Sequence, residues 1–257
     1  MEGVCMLAGV VPVTFSEYFP MTRIINLPER RDRRRETVKE LETVAMQPGK
    51  GGVEFFDAIR PTEAEGFPSP GALGCFMSHL EVLREAMVSG RESVLIIEDD
   101  LHISPTLPLV FGEIQQILEA EKWGIAYFGY ADSDKITIDT DQKMVRYSEP
   151  LGCTHFYAVH RRVLPRLLDF LEVMRKRRPG HPAGGPMHYD GALGTFRAQN
   201  PDVITLIAYP CLGFQRSSRS DIAIRWYEQL PGLRQASDWA RVVRAWFRSE
   251  PHPESNL

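Results

Sequence analysis

The sequence predicts an α/β fold: a mostly parallel central sheet flanked by helices, with an inserted β-hairpin. Strand-like and helix-like patterns alternate through most of the chain, as they do when helices carry the crossovers between parallel strands. The run Ser93–Ile97 (SVLII) is apolar at every position but the first, which suits a strand covered on both faces. With 257 residues, 43% hydrophobic and 25% charged, the chain has the composition of a globular protein with a sizeable core. Gross disorder and fibrous repeats are excluded.

Each element has its own local signal. Arg23–Leu27 (RIINL) is a short β-branched run stopped by Pro28, a buried strand. Arg33–Val44 sets Val38 and Leu41 on one side among charges, a helix, and Val53–Ile59 is a second strand. Gly71–Val88 spaces Leu73, Phe76, Met77, Leu80, Leu83 and Met87 mostly three and four apart, an amphipathic helix. After the SVLII strand come a helix over Leu107–Ala120 and a buried strand over Ile125–Tyr130. Lys135–Tyr147 alternates around an Asp-rich turn and predicts the hairpin. Phe156–Val159 and Val203–Tyr209 read as strands, Val163–Met174 as a helix, and Arg178–Pro186 as a Gly/Pro loop. Asp238–Phe247 reads as a surface helix before a polar tail.

Domain organisation follows. Residues 21–222 are expected to form a single domain, with residues 223–257 a C-terminal helical segment and tail. Residues 1–20 are a candidate N-terminal extension, so their deletion is expected to leave folding intact. The apolar stretch Cys5–Val13 is too short to span a bilayer, and Glu2 is the only early charge, which argues against a secretory signal. Thirty Lys and Arg against thirty-four Asp and Glu give a net charge of −4, unlike a nucleic-acid binder. Cys5, Cys75, Cys153 and Cys211 form no CxxC pair, so reduced thiols in the cytoplasm are expected.

The sharpest chemical feature is Glu98-Asp99-Asp100, placed directly after the SVLII strand. Ligands of open α/β sheets bind in the crevice at strand carboxyl ends, and adjacent carboxylates repel unless a cation or solvent relieves them. Oxygen ligands select hard cations, Mg²⁺ or Mn²⁺. The bland reading is a solvated acidic loop. A receiver-like phosphoacceptor signalling domain also opens with such acids. It would need a phosphoacceptor such as Asp132 or Asp134 and a strand-end Lys that the chain lacks, and Ser104-Pro105 with Pro108 interrupts the helix expected next.

Three further clusters stand out. In Gly71–His79, Cys75, Ser78 and His79 come round near one another on a helix; either a Cys–His pair or a small-residue helix start packed against the sheet explains them. Ile25–Arg35 joins a strand to a helix through a turn with five arginines, of which Arg33 is placed to reach inward. Neither a dinucleotide fingerprint nor a P-loop accompanies it. His188-Tyr189-Asp190 opens a helix, with Asp190 equally a cap or a general base. The basic run Arg175–Arg178 closes a helix and suits either a solvated end or an anionic surface.

Taken in order, IINLPERRDRR, GALGCFMSHLEVLREAM, VLIIEDD, GCTHFYAVHRRVLPRLL, HYDGAL and GFQRSSRSDI, within residues 23–222, resemble glycosyltransferase family 25. That family holds the lipopolysaccharide-type galactosyltransferases and their procollagen galactosyltransferase relatives. The resemblance implies a GT-A-like fold and an inverting hexosyl transfer from a nucleotide sugar, commonly UDP-galactose, to a saccharide acceptor. It implies Mn²⁺ or Mg²⁺ held by Asp99 and Asp100, and donor contacts from Asn26, Arg33, Ser78, His79, Glu98, Asp99, Gln215 and Ser220. Asp190 matches a later acidic position and is the expected base. The setting it implies is lipopolysaccharide or other surface-glycan biosynthesis, in the cytoplasm with peripheral membrane contact through the arginine-rich helices. A catalytically silent sugar-nucleotide binding module is the remaining alternative.

Overall fold

The computed structural model of the chain describes residues 13–131 and 133–216. Among the described residues nine strands form one mixed sheet: β1 (Thr22–Asn26), β2 (Val53–Asp57), β3 (Ser93–Glu98), β4 (Leu101–Ile103), β5 (Ile125–Gly129), β6 (Met144–Arg146), β7 (Phe156–His160), β8 (Thr205–Ala208) and β9 (Gly213–Gln215). Along its main path the order is β2-β1-β3-β7-β5-β8-β6, while β9 joins β4 to β5. β1, β2, β3, β5 and β8 run the same way; β7 and β6 are reversed. The expected mostly parallel sheet flanked by helices is present.

Alternation along the central strands separates two cores. Val94 and Ile96 of β3, Tyr127 of β5 and Tyr157 of β7 face one layer; Leu95, Ile97, Phe128 and Phe156 face the other. α3 (Pro70–Ser89), α5 (Leu164–Arg175) and α6 (Tyr189–Gln199) cover the first face through Phe76, Leu80, Leu167 and Phe196. α1 (Phe15–Tyr18), α2 (Arg31–Glu42) and α4 (Leu107–Ala120) cover the second through Phe15, Leu41, Phe111 and Ile114.

Local chemistry sets the helix ends. The Ser69 side chain accepts the Ala72 N–H ahead of Pro70, and Gly90 ends α3 in the left-handed conformation at φ 71°. Within α3, a Cβ on Gly74 would meet the Ile59 carbonyl at 2.4 Å, so glycine is what lets the helix lie against the loop after β2.

Two expectations are corrected. Lys135–Tyr147 is not a hairpin: Ser133–Lys135 is a 3-10 turn, and the segment's one strand, β6, pairs antiparallel with the distant β8. The alternation was real, but Met144 is buried through its pairing with β8 instead of a sequence neighbour. Residues 13–20 also belong to the fold, since Phe15 and Phe19 are buried and Phe15 packs edge-on to Phe111, Phe128 and Phe156. The Asp238–Phe247 helix lies outside the described residues.

Candidate active site at the carboxyl edge of the sheet

β1 and β3 are parallel neighbours, with β2 on the far side of β1, so the winding reverses at β1. Asn26 and Glu98 end these two strands, and the crevice opens where open α/β sheets take ligands. The turn Asp99-Asp100 leads straight into β4, leaving no room for a helix before Leu107.

The three adjacent acids have three different environments. Asp99 is buried and compensated: Asn26 Nδ2 donates to its Oδ2 at 2.7 Å and Arg33 Nη1 to its Oδ1 at 2.8 Å. Its carbonyl accepts from Thr37 Oγ1 at 2.9 Å and Arg216 Nη2 at 2.6 Å. Glu98 lies 3.3 Å from His79 Nε2. Burial pushes its carboxyl up, but the hydrogen bond and charge of His79, helped by His155 and Arg33, hold it below the ordinary range. Asp100 is the least satisfied, with Arg33 3.7 Å from its Oδ2 and its Oδ1 buried without a hydrogen-bond partner among the described residues. Burial first, then the Glu98 charge, push its carboxyl up to about 7.

α3 supplies the inner wall. His79 is buried with its ring stacked on Tyr189, centroids 4.1 Å apart, and its Nδ1 is 2.9 Å from the Tyr157 hydroxyl. One turn earlier, Cys75 brings its sulfur into a group with His79 and Glu98 whose ligand atoms lie within 4.8 Å of one another. Burial, then the charges of Glu98, Asp190 and Asp100, push the Cys75 thiol up, so these acids face one neighbourhood. Ser78 is fully buried: it donates to the Gly74 carbonyl at 2.7 Å and accepts the Ile59 N–H at 2.9 Å. The close-packed helix start and the Cys–His proximity weighed as alternatives are both present.

The opposite wall comes from later in the chain. Asp190, partly exposed in the first turn of α6, accepts the Gly191 N–H at 2.7 Å and the Cys153 N–H at 3.3 Å. The helix cap is His188, without a side-chain cap hydrogen bond. Cys153 presents its N–H from a left-handed backbone at φ 62°, and its sulfur donates to Gln215 Oε1 at 3.5 Å. His155, just before β7, lies 3.1 Å from the Gly213 carbonyl through Nε2, and burial pushes its pKa down. Ser220 and Asp132 lie outside the described residues, and Asp134 sits on the 3-10 turn instead of a strand end.

These observations divide the expected cation ligands. Asp99 already has a guanidinium and an amide on its two oxygens, so its charge needs no metal. Asp100, with an orphaned buried oxygen and a destabilised charge, fits a hard dication. The sequence reading missed His155, Tyr157, Thr37 and Arg216. Only His155 carried a signal, a lone histidine opening an apolar strand.

The chain is a mixed α/β protein whose acidic residues stand at the switch point of a helix-covered sheet, where such folds take their ligands. Residues 19–149 match the family described as "Glycosyltransferase family 25 (LPS biosynthesis protein)", about half of the sequence, and the chain belongs to that family. Among curated relatives, a "Glycosyltransferase 25 family member" of Aedes aegypti is 26% identical over 153 residues, covering 50% of this chain and 23% of the relative. "Procollagen galactosyltransferase 1" of Danio rerio is 27% identical over 130 residues, covering 45% and 21%. The chain thus spans less than a quarter of these relatives' length. Similar solved structures include a UDP-glucose pyrophosphorylase complexed with UDP-glucose, with TM-score 0.43, 11% identity and coverage of 90% and 82%. A glycosyltransferase involved in glycosylating the major capsid of PBCV-1 has TM-score 0.37, 14% identity and coverage of 74% and 93%. Likenesses of that size leave the assignment resting on sequence. Among the described residues no helix is long and apolar enough to cross a membrane.

Proposed function

We propose that the chain is a metal-dependent, inverting glycosyltransferase with a GT-A-like fold. It moves a hexose, with galactose the expected sugar, from a UDP-sugar to a saccharide hydroxyl in lipopolysaccharide or other surface-glycan synthesis. Its setting is the cytoplasm, with peripheral contact at the inner face of the membrane. The observation that carries the reading is the orphaned Asp100 oxygen at the carboxyl end of β3, in a family 25 chain.

Asp100 would hold Mn²⁺ or Mg²⁺, which when bound neutralises the charge developing on the departing diphosphate. The chain's own residues do the rest. Arg33, oriented by Asp99, and Arg216, fixed over the Asp99 carbonyl, place positive charge beside the same anion. Asn26, Glu98, His79 and Gln215 line the donor side, while Ser78 supports it by holding the Ile59 loop. The glycosidic C–O bond to the diphosphate breaks as the acceptor oxygen attacks from the opposite face. Asp190, whose carboxylate accepts the Gly191 and Cys153 backbone N–H groups, takes the acceptor proton.

A thermal-shift screen of nucleotide sugars with and without Mn²⁺ tests this directly. UDP-sugars with Mn²⁺ should raise the melting temperature and Asp100→Ala should abolish the metal-dependent part. No response to any sugar nucleotide would overturn it. Binding without transfer or slow donor hydrolysis would identify the silent binding module instead.

A further inference from the structure

We propose that Cys75, His79 and Glu98 form a site for a borderline-soft divalent cation, Zn²⁺, distinct from the hard-cation position at Asp100. Cys75 and His79 stand four residues apart on α3, so their side chains emerge on one face, and Glu98 meets them from the end of β3. Their sulfur, nitrogen and oxygen ligand atoms lie within 4.8 Å of one another, close enough for small side-chain adjustments to reach a single ion.

The hydrogen-bond network around His79 points to the same ion. The Tyr157 hydroxyl donates to the Tyr189 hydroxyl at 2.9 Å, so its oxygen is left to accept from His79 Nδ1–H at 2.9 Å. That arrangement leaves Nε2 as the ligand nitrogen, and it faces the Glu98 carboxylate at 3.3 Å. Without a metal a proton on Nε2 bridges the pair as their hydrogen bond, and a cation can take that proton's place. Nδ1 bonded to a fixed oxygen, with the ring clamped on Tyr189 at 4.1 Å, is the outer support that metal-binding imidazoles use.

Thiolate and imidazole select zinc over magnesium or manganese, which prefer oxygen. On binding, the Cys75 S–H bond breaks, its proton goes to solvent and the sulfur lone pair forms the metal bond. One thiolate and one carboxylate then balance the dication. Three protein ligands leave a fourth tetrahedral position open to water or a substrate oxygen. The site does not depend on the glycosyl-transfer reading.

The test is titration of the metal-free full chain with Co²⁺, followed spectroscopically, then displacement by Zn²⁺. The expected result is a near-ultraviolet thiolate-to-cobalt charge-transfer band with tetrahedral visible bands, saturating at one ion per chain and erased by Zn²⁺. Cys75→Ser should lose the charge-transfer band, and His79→Gln should weaken binding at least about tenfold. Asp100→Asn and Cys153→Ser should keep the band, separating this site from the hard-cation position and from the other site thiol. Absence of the band in the wild-type chain overturns the proposal whatever the variants do. So does a band that persists in Cys75→Ser, since the thiolate would then lie elsewhere.

Discussion

Asp100 is where burial and charge conflict most sharply. Its carboxyl is raised from an ordinary 3.8 to about 7, chiefly by burial and then by Glu98. A raised acid binds more protons folded than unfolded, so its contribution is most favourable below about pH 3.8 and is lost as pH rises towards 7. Asp100→Asn removes that loss. In metal-free buffer the variant should match wild type near pH 4 and exceed it above pH 7 by on the order of 2–4 kcal/mol in urea unfolding. Mn²⁺ should stabilise wild type at pH 7.5 and leave the variant unmoved. An identical pH profile for both proteins would show that the carboxylate carries no such strain. Asp190→Asn tests the base: donor binding should persist while transfer falls by at least about a hundredfold. Near-normal transfer would reduce Asp190 to a partner of the Cys153 and Gly191 amides.

At the scale of elements, α3 joins fold and site. Gly74 lets it approach the loop after β2, Ser78 bridges the two, and Cys75 with His79 forms the inner wall of the crevice. Ser78→Ala would leave the Ile59 N–H without its acceptor, at a cost of about 1–3 kcal/mol. The expected readout is a lower urea midpoint with unchanged slope. The helix was legible because its apolar spacing is local. That Ser78 faces the Ile59 loop was not, because helical periodicity gives a direction and leaves the neighbour unspecified. For the same reason Lys135–Tyr147 reads as a hairpin: alternation records that Met144 is buried and is silent about which strand buries it.

The whole molecule draws its second core partly from the segment before β1. Phe15 packs against Phe111, Phe128 and Phe156, with centroids 5.0–5.8 Å apart, and Phe19 is fully buried. Deleting residues 1–20 should therefore destabilise the chain by at least about 3–5 kcal/mol, the usual cost of losing one buried Phe. A melting temperature equal to that of the full chain would show that this aromatic cluster adds nothing. Apolar residues ahead of the first strand carry no periodic signal over so short a helix, which is why only the packed molecule shows them as core.

The sequence by itself determined the alternation of strands and helices, the covered central strand and the delivery of three acids to its carboxyl end, because side-chain period and turn chemistry are properties of neighbouring residues. Tertiary structure decided what each acid became. Asn26, 73 residues away, donates a hydrogen bond to Asp99 and Arg33, 66 away, balances its charge, His79 engages Glu98, and Asp100 keeps an oxygen with no hydrogen-bond partner among the described residues. Electrostatic fate depends on distance in space and on exclusion of water, and both are set only when the elements pack.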